Sequence, residues 1–140
     1  MITIKENVNN VNEFNILFDA VGWGSYDDDV SMNALKNTIY SVSVYDENKI
    51  IGFGRLIGDG FCYIYIHDVV VDPKYQSKKI GTMIMNKLLE EIEKLKSNNP
   101  YIRVYLGASK GKEGFYRKFG FITREEAGLG SGMILSGFEE

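Results

Sequence analysis

Hydrophobic and polar positions follow two different periods at the start of the chain. Residues 2–6 (ITIKE) alternate between apolar and polar, which predicts a strand at the edge of a sheet. From Val11 the apolar residues recur every three or four positions, so an amphipathic helix is predicted that ends at Gly22. A second, short helix is predicted at about residues 30–37.

The stretch from residue 40 to residue 73 predicts three consecutive strands. β-Branched and aromatic residues dominate it, and the turn-forming sequences DENK and GDG interrupt it before Asp72-Pro73 ends it. Both faces of the third strand are largely apolar, which indicates a central position in the sheet. On a regular strand His67 and Asp68 would lie on opposite faces, so only one of them could face a substrate.

A long helix follows, because apolar residues keep a helical period from Ile80 to Leu95. Residues 101–106 predict another strand, and residues 111–121 contain a short helix that Gly120 ends. Phe121–Arg124 and Met133–Ser136 are predicted as two closing strands. This order of elements predicts one domain of mixed α/β (α+β) class over residues 1–140.

Composition narrows the classes of function. With 140 residues, 44% of them hydrophobic, the chain suits one core. No apolar run approaches the length of a membrane span and no leader pattern is seen, so a soluble, cytoplasmic protein is expected. One histidine and the single Cys62 argue against a metal centre. The net charge of -3 argues against a nucleic-acid partner.

The turn at residues 76–82 (QSKKIGT) lies between a predicted strand and the long helix. The unpaired amides at a helix start carry partial positive charge and favour an anion, and three lysines lie in or beside the turn. The alternative is an ordinary helix start with solvated lysines. No phosphate-binding G-x-x-x-x-G-K-S/T or dinucleotide-binding G-x-G-x-x-G pattern is present.

Two segments resemble the GCN5-related N-acetyltransferases. VVVDPKYQSKKIGTMIMNKLLEEI (residues 69–92) is similar to that family's acetyl-coenzyme A motif, and GFYRKFGF (residues 114–121) is similar to its C-terminal F-Y-x-x-x-G-F segment. The resemblance implies a mixed, mostly antiparallel twisted sheet of about six to seven strands with about four helices. It also implies a splay between the central strands and acetyl-CoA as cosubstrate.

The resemblance implies roles for particular residues in holding acetyl-CoA. Backbone amides of Val69, Val70 and Val71 would face the thioester and pantetheine, although the three valine side chains also suit a core. The pyrophosphate would lie on the turn, which comprises Gln76, Ser77, Lys78, Lys79, Ile80, Gly81 and Thr82. Ser109 stands where many members carry an asparagine near the cofactor.

The turn departs from the family pattern at two positions. Lys79 replaces its middle glycine, and Ser77 replaces a further common glycine. The phosphates would meet backbone amides, while glycine tolerates left-handed backbone and allows close approach. A lysine charge beside the phosphates offsets part of that loss. We therefore expect the turn to bind pyrophosphate still.

For catalysis, Tyr116 matches the family tyrosine that faces the thioester sulfur, and its alternative role is that of a packed aromatic. His67 and Asp68 are the candidate bases, because an amine must lose a proton before it attacks. Either of these two side chains could instead be purely structural.

The acceptor amine is less defined than the cosubstrate. Trp23, Tyr26, Asp27 and Asp28 could attract a cationic amine and pack against its apolar part. The alternative is a solvated acidic loop in which Asp29 caps the second helix.

The function predicted is therefore that of an acetyl-CoA-dependent N-acetyltransferase that acts by direct attack in a ternary complex. The expected acceptor is a primary amine, of a small molecule in preference to a protein. The alternative is a noncatalytic acyl-CoA binding or sensing module, and a third is a structural interaction domain. The sequence leaves the acceptor, the acyl chain and the oligomeric state open, a homodimer included.

Overall fold

A computed structural model describes residues 1–137 of the chain. Its five strands form one sheet in the order β1-β2-β3-β4-β5, and four α-helices accompany them. The elements are β1 (Ile2–Glu6), α1 (Val11–Ala20), α2 (Asp28–Lys36), β2 (Tyr40–Asp46), β3 (Lys49–Gly58), β4 (Tyr63–Val71), α3 (Ile80–Asn98), β5 (Arg103–Leu106) and α4 (Glu113–Arg117), with a 3-10 turn at Pro73–Tyr75. The predicted mixed α/β class is confirmed.

The chain divides into two compact units, Met1–Leu106 and Gly107–Glu140. The first unit contains the whole sheet with α1, α2 and α3, and the second contains α4. The expectation of a single domain over 1–140 stays a prediction.

The sheet is antiparallel from β1 to β4, and β5 is parallel to β4. α1 and α2 lie between β1 and β2 in the chain, whereas short turns join β2 to β3 and β3 to β4. Glu47 has φ of 54° in the β2–β3 turn. Asp59 holds the β3–β4 turn, because one of its carboxylate oxygens accepts from the amides of Phe61, Cys62 and Tyr63. A parallel pair needs a crossover, which α3 supplies.

The two faces of β3 pack against different helices. Gly52 and Gly54 lie under α3, where an added Cβ on Gly54 would lie 2.6 Å from Ile84 Cγ2. On the other face Phe53 packs against Phe14 of α1 at 5.4 Å between ring centroids. Alternation of side chains along a strand therefore gives β3 one face for each helix.

Within residues 1–137 fewer strands form than the family resemblance implied, and the two predicted closing strands are wrong. Phe121–Arg124 and Met133–Ser136 have no strand structure. At the first of them, the amide and hydroxyl of Thr123 both donate to Glu126 Oε1, at 3.0 and 2.9 Å. Such local hydrogen bonds compete with sheet pairing, and this one holds residues 123–126 in a turn.

Several element boundaries also differ from their predictions. α2 begins at Asp28, with Asp27 at its N-cap position. Asp29 lies inside the helix and accepts a hydrogen bond from the amide of Val30, its neighbour, so the prediction that it caps α2 is wrong. β5 starts at Arg103 because Tyr101 lies in a turn. Within residues 1–137, none of the helices has both the length and the apolar character needed to cross a bilayer.

Candidate active site

The turn before α3 has left-handed backbone at both positions where this chain replaces a glycine of the family pattern. Ser77 has φ of 67° and Lys79 has φ of 65°. Non-glycine residues rarely adopt this conformation, which costs them roughly 1–2 kcal/mol each. Ser77 and Lys79 therefore adopt, without being glycine, a backbone conformation that glycine adopts readily.

The start of α3 is open to an anion. Lys79 is its N-cap residue and makes no side-chain capping bond, and no acidic residue lies in the first turn. The first amides of a helix have no acceptor within the helix, and together they carry partial positive charge. Ile80, Gly81 and Thr82 supply these amides. The Ile80 side chain is buried, so this residue could meet a ligand only through its backbone.

Tyr75 fastens the turn to the β2–β3 hairpin. Its hydroxyl donates to Asp46 Oδ2 at 2.6 Å, and this bond lowers the pKa of the Asp46 carboxyl below its ordinary value. The ammonium groups of Lys49 and Lys78 each lie 5.5 Å from the centroid of the Tyr75 ring. Gln76 Nε2 donates to the carbonyl of Val71 at 3.3 Å, which ties the turn to the end of β4.

β4 leaves regular pairing just before this turn. Arg55 of β3 pairs with His67, whereas Phe53 pairs with Val70, so Gly54 faces two residues of β4. This is a β-bulge, and Asp68 within it has φ of 54°. Val70 is buried, while Val69 and Val71 are half-buried.

On the other side of β4 the parallel pairing ends early. Ile66 pairs with Leu106, the last residue of β5, and β4 continues to Val71. The predicted backbone contacts of Val69, Val70 and Val71 thus fall on a stretch that has passed the end of β5.

The bulge brings His67 and Asp68 together, so the prediction that they lie on opposite faces is wrong. A residue with left-handed φ interrupts the alternation of side chains along a strand. His67 Nδ1 lies 3.2 Å from Asp68 Oδ1, and Arg55 Nε donates to Asp68 Oδ2 at 2.6 Å. The three side chains form an Arg–Asp–His cluster at the bulge.

The cluster keeps the Asp68 carboxyl ionised. Burial acts to raise its pKa, but the hydrogen bond with His67 and the charge of Arg55 outweigh burial, and the pKa lies below its ordinary value of 3.8. An ionised carboxylate can only accept hydrogen bonds, so His67 Nδ1 is the donor in this contact. In neutral His67 the lone pair is then on Nε2.

Sequence reasoning missed Arg55, which lies in the segment KIIGFGRLIG of β3. Its side chain is only 12% exposed. A single charged residue in the middle of an otherwise apolar strand is the signal that could have found it, because a buried charge requires a partner.

The four acceptor candidates lie between α1 and the first turn of α2. The rings of Trp23 and Tyr26 both contact Phe18, at 5.4 and 5.8 Å between centroids, and both are about half exposed. Asn15 Nδ2 donates to Asp28 Oδ1 at 3.2 Å. Asp27 makes no side-chain capping bond and is exposed. Two exposed aromatic rings thus adjoin two exposed carboxylates, which suits a cation.

The second unit contains the remaining candidates. Tyr116 lies on α4, half-buried, with its ring in edge contact with Phe115 at 5.0 Å and Phe121 at 6.5 Å. Burial raises the pKa of the Tyr116 hydroxyl above its ordinary value. Ser109 is exposed, and its carbonyl accepts from the amide of Lys112 at 2.9 Å.

Within residues 1–137, no group of three or more histidine, cysteine, aspartate or glutamate side chains is arranged to hold a metal ion.

Comparison with protein families identifies the family to which this fold belongs. A family model described as an acetyltransferase (GNAT) domain matches residues 23–137. The chain belongs to the GNAT acetyltransferase family. The matched range contains the bulge of β4, the turn before α3 and Tyr116. The predicted family is thereby confirmed.

Individual relatives agree with this assignment. The GCN5-related N-acetyltransferase 1, chloroplastic, of Arabidopsis thaliana is 32% identical over 116 residues, which are 81% of this chain and 57% of the plant protein. This GNAT chain thus spans little more than half the length of that relative.

Solved structures match over nearly their whole length. A GNAT family acetyltransferase from Streptococcus pneumoniae superposes with a TM-score of 0.81 at 28% identity, over 99% of this chain and 100% of its own. A protein from meticillin-resistant Staphylococcus aureus, described as a probable acetyltransferase, gives a TM-score of 0.85 at 26% identity, over 97% of this chain and 99% of its own.

Proposed function

We propose that this GNAT chain is an acetyl-CoA-dependent N-acetyltransferase that acetylates a primary amine of a small molecule by direct attack in a ternary complex. The observation that carries the proposal is the turn before α3. Ser77 and Lys79 keep left-handed backbone in place of glycine, and the helix behind them starts without a side-chain cap. A turn that retains a strained shape at two positions fits a ligand-binding role.

The pyrophosphate of acetyl-CoA would lie on the amides of the turn, from Gln76 to Thr82. Lys79 adds a charge worth about 1 kcal/mol per pair at 4 Å in bulk water, and more where water is excluded. The pantetheine arm would follow the backbone of Val69–Val71, where β4 extends past the end of β5.

The acceptor amine must be neutral when it attacks the thioester carbon. We assign the proton acceptor to the pair of His67 and Asp68, with the imidazole taking the proton at Nε2 and the carboxylate holding Nδ1–H. The nitrogen adds to the thioester carbon to give a tetrahedral intermediate, and the nitrogen then loses its remaining excess proton. The C–S bond breaks as the carbonyl re-forms, the electron pair leaves on the sulfur, and the thiolate takes up that proton to give free CoA.

Tyr116 would donate a hydrogen bond to the departing sulfur. Transfer of the proton of an ordinary tyrosine to the thiolate is uphill by roughly 2 kcal/mol, because the corresponding thiol has a pKa near 8.5. Burial raises the pKa of Tyr116 further, so complete proton transfer is still less favourable. Hydrogen bonding to the developing thiolate is the role that this chemistry favours.

The acceptor that suits Trp23, Tyr26, Asp27 and Asp28 is a cationic amine with an apolar body. We place the enzyme in the cytoplasm, and we propose no metal, nucleic-acid or membrane partner. A homodimer stays open.

The proposal is tested by measuring release of free CoA with a panel of small amines, alongside calorimetric titration of acetyl-CoA. Turnover of at least one cationic amine is expected, together with saturable binding of acetyl-CoA. Tight binding without turnover of any amine would favour a noncatalytic acyl-CoA sensor. Absence of binding to both acetyl-CoA and CoA would overturn the proposal and favour a structural domain.

A further inference from the structure

Arg55 is a buried cation at a point where four elements meet. It belongs to β3, and its guanidinium carbon lies 5.8 Å from the ring centroid of Phe14 on α1. Its Nε donates to Asp68 on β4, and its Nη1 donates to the carbonyl of Ala34 at 3.0 Å and to Thr38 Oγ1 at 3.1 Å. The planar guanidinium therefore has its direction fixed from three sides.

The contacts with α2 are those of a helix C-terminus. The carbonyl of Ala34 also accepts from the Thr38 hydroxyl at 3.1 Å and from the amide of Asn37 at 3.2 Å. Carbonyls at this end of a helix carry partial negative charge, which a cation stabilises. The C-terminal end of α2 thus holds the Arg55 guanidinium in position, and Arg55 in turn holds the Asp68 carboxylate.

The two oxygens of Asp68 have different partners. Oδ2 accepts from Arg55 Nε, and Oδ1 faces His67 Nδ1. The short charge-assisted bond to Oδ2 restricts rotation of the Asp68 carboxylate, and this restricts the direction of Oδ1 as well. The charges that act on Asp68 are those of Arg55 and His67.

We propose that Arg55 is a positioning residue for the proton acceptor of this enzyme. It orients Asp68 so that the carboxylate holds the proton of His67 on Nδ1, which leaves the lone pair of the neutral imidazole on Nε2. The proposal rests on the proposed acetyl transfer, because the tautomer of His67 affects the reaction only if His67 takes a proton from the acceptor amine.

A purely structural role predicts a different outcome. If Arg55 only neutralised a buried carboxylate, its loss would lower stability and leave the tautomer of His67 in the folded protein unchanged. The test must therefore report on the imidazole itself.

His67 is the only histidine in the sequence, so imidazole nitrogen resonances of the ¹⁵N-labelled protein belong to it without assignment. Above the imidazole titration, long-range ¹H–¹⁵N spectra distinguish Nδ1–H from Nε2–H. The wild type should show mainly Nδ1–H. Arg55→Gln should shift the population towards Nε2–H, and Arg55→Lys should lie between them. Arg103→Gln, which removes an exposed arginine on β5, should match the wild type.

Kinetics with an amine that the panel shows to be acetylated supply the second measurement. Arg55→Gln should lower kcat roughly 10- to 100-fold while the KM for acetyl-CoA changes little, because the base is misplaced and the turn before α3 is intact. Arg55→Lys should recover part of kcat, and Arg103→Gln should keep all of it.

An unchanged His67 tautomer in folded Arg55→Gln overturns the inference, as does an unchanged kcat. If that variant fails to fold, Arg55→Lys and Thr38→Val decide by the same measurements, and wild-type spectra from both overturn it. The spectra need no substrate, so they remain informative if no amine is acetylated. A failure to acetylate any amine would refute the proposed function, independently of the spectra.

Discussion

At the scale of single residues, Ser77 and Lys79 adopt a glycine-like backbone at two positions where the family pattern carries glycine. Both have left-handed φ in the turn before α3. Glycine would adopt this conformation without the roughly 1–2 kcal/mol that an L side chain requires, but it would lose more chain entropy on folding. Lys79 adds charge beside the expected phosphate. The two effects can be separated by substitution.

Lys79→Gly should still bind acetyl-CoA, with an affinity that depends less on salt than that of the wild type, because one screened charge is gone. Its stability should stay within about 1 kcal/mol of the wild type or rise, since relief of strain opposes the entropy of glycine. The measurement is calorimetric titration of acetyl-CoA at several NaCl concentrations.

Lys79→Gln is the matched control, because it removes the charge and keeps a left-handed side-chain residue. It should lose the same salt dependence and gain no stability. Complete loss of acetyl-CoA binding in Lys79→Gly would contradict the proposed role of the turn.

Tyr116→Phe keeps the ring contacts with Phe115 and Phe121 and removes only the hydroxyl. We expect kcat to fall roughly 10-fold or more with little change in the KM for acetyl-CoA, because the hydrogen bond to the leaving sulfur forms during the reaction. Steady-state kinetics of CoA release give the comparison.

The control for Tyr116→Phe is Tyr101→Phe, which removes a hydroxyl from a residue that is 84% exposed. It should be as active as the wild type. Wild-type kcat in Tyr116→Phe would show that the hydroxyl has no part in the reaction and that Tyr116 is only a packed aromatic.

At the scale of elements, the packing of α3 on β3 depends on two glycines on one face of the strand. A Cβ on Gly52 would lie 3.0 Å from Ile80 and Ile84, and a Cβ on Gly54 would lie 2.6 Å from Ile84 Cγ2 and 3.2 Å from Leu88. Gly54 also faces the β4 bulge. The glycines allow close approach of helix and sheet, which is a packing requirement and not a conformational one.

Gly54→Ala should lower the free energy of unfolding by about 1–3 kcal/mol, because the added methyl overpacks the contact with Ile84. Ile84→Leu moves the clashing Cγ2 branch, so the double variant should lose less than the sum of the two single changes. Denaturant unfolding of the four proteins measures this coupling.

Gly114→Ala is the matched control, since nothing lies within 4 Å of a Cβ at this position in α4. It should be neutral or more stable by about 0.5–1 kcal/mol, as expected for alanine in a helix. Equal stability of Gly54→Ala and the wild type would mean that α3 moves away from β3 at little cost.

At the scale of the whole molecule, several carboxyls are held ionised by the fold. Hydrogen bonds to Asp46 and Asp59, and the cluster around Asp68, lower the pKa of each, and the Arg117 hydrogen bond lowers that of Glu126 to about 2. Each is ionised in the folded protein at a pH where the unfolded chain would bind a proton. The stability they contribute is present above the ordinary carboxyl pKa and is lost as the pH falls below it.

The thermal unfolding midpoint should therefore fall as the pH is lowered from about 5 to about 2. Asp68→Asn should be less stable than the wild type by about 3–5 kcal/mol at pH 7, because Arg55 becomes a buried charge without its partner. The gap should narrow in acid, where the wild-type carboxyl is also protonated. Calorimetric scans of both proteins across this range test the sign, and parallel curves would show that Asp68 is not the linked group.

Local patterns in the sequence were enough to place most of the helices and strands and to indicate the family. Strands and helices follow from periods of two and 3.6 residues, which are local properties, and β1, α1 and α3 lie where those periods place them. The segment that resembles the family's acetyl-coenzyme A motif is likewise contiguous. The closing strands failed because the β-forming residues Phe121, Ile122 and Thr123 cannot show that Thr123 and Glu126 form a local turn instead.

The assembly of the candidate base depends on contacts between separate elements. Its central feature is a register shift between β3 and β4, which depends on two strands at once and leaves no mark in the alternation of either. That shift gives Asp68 its left-handed φ, brings its carboxylate to His67, and places Arg55 between Asp68 and the end of α2. Side chains from separate elements met because strand pairing and helix packing fixed their backbones, and no local pattern carries that information.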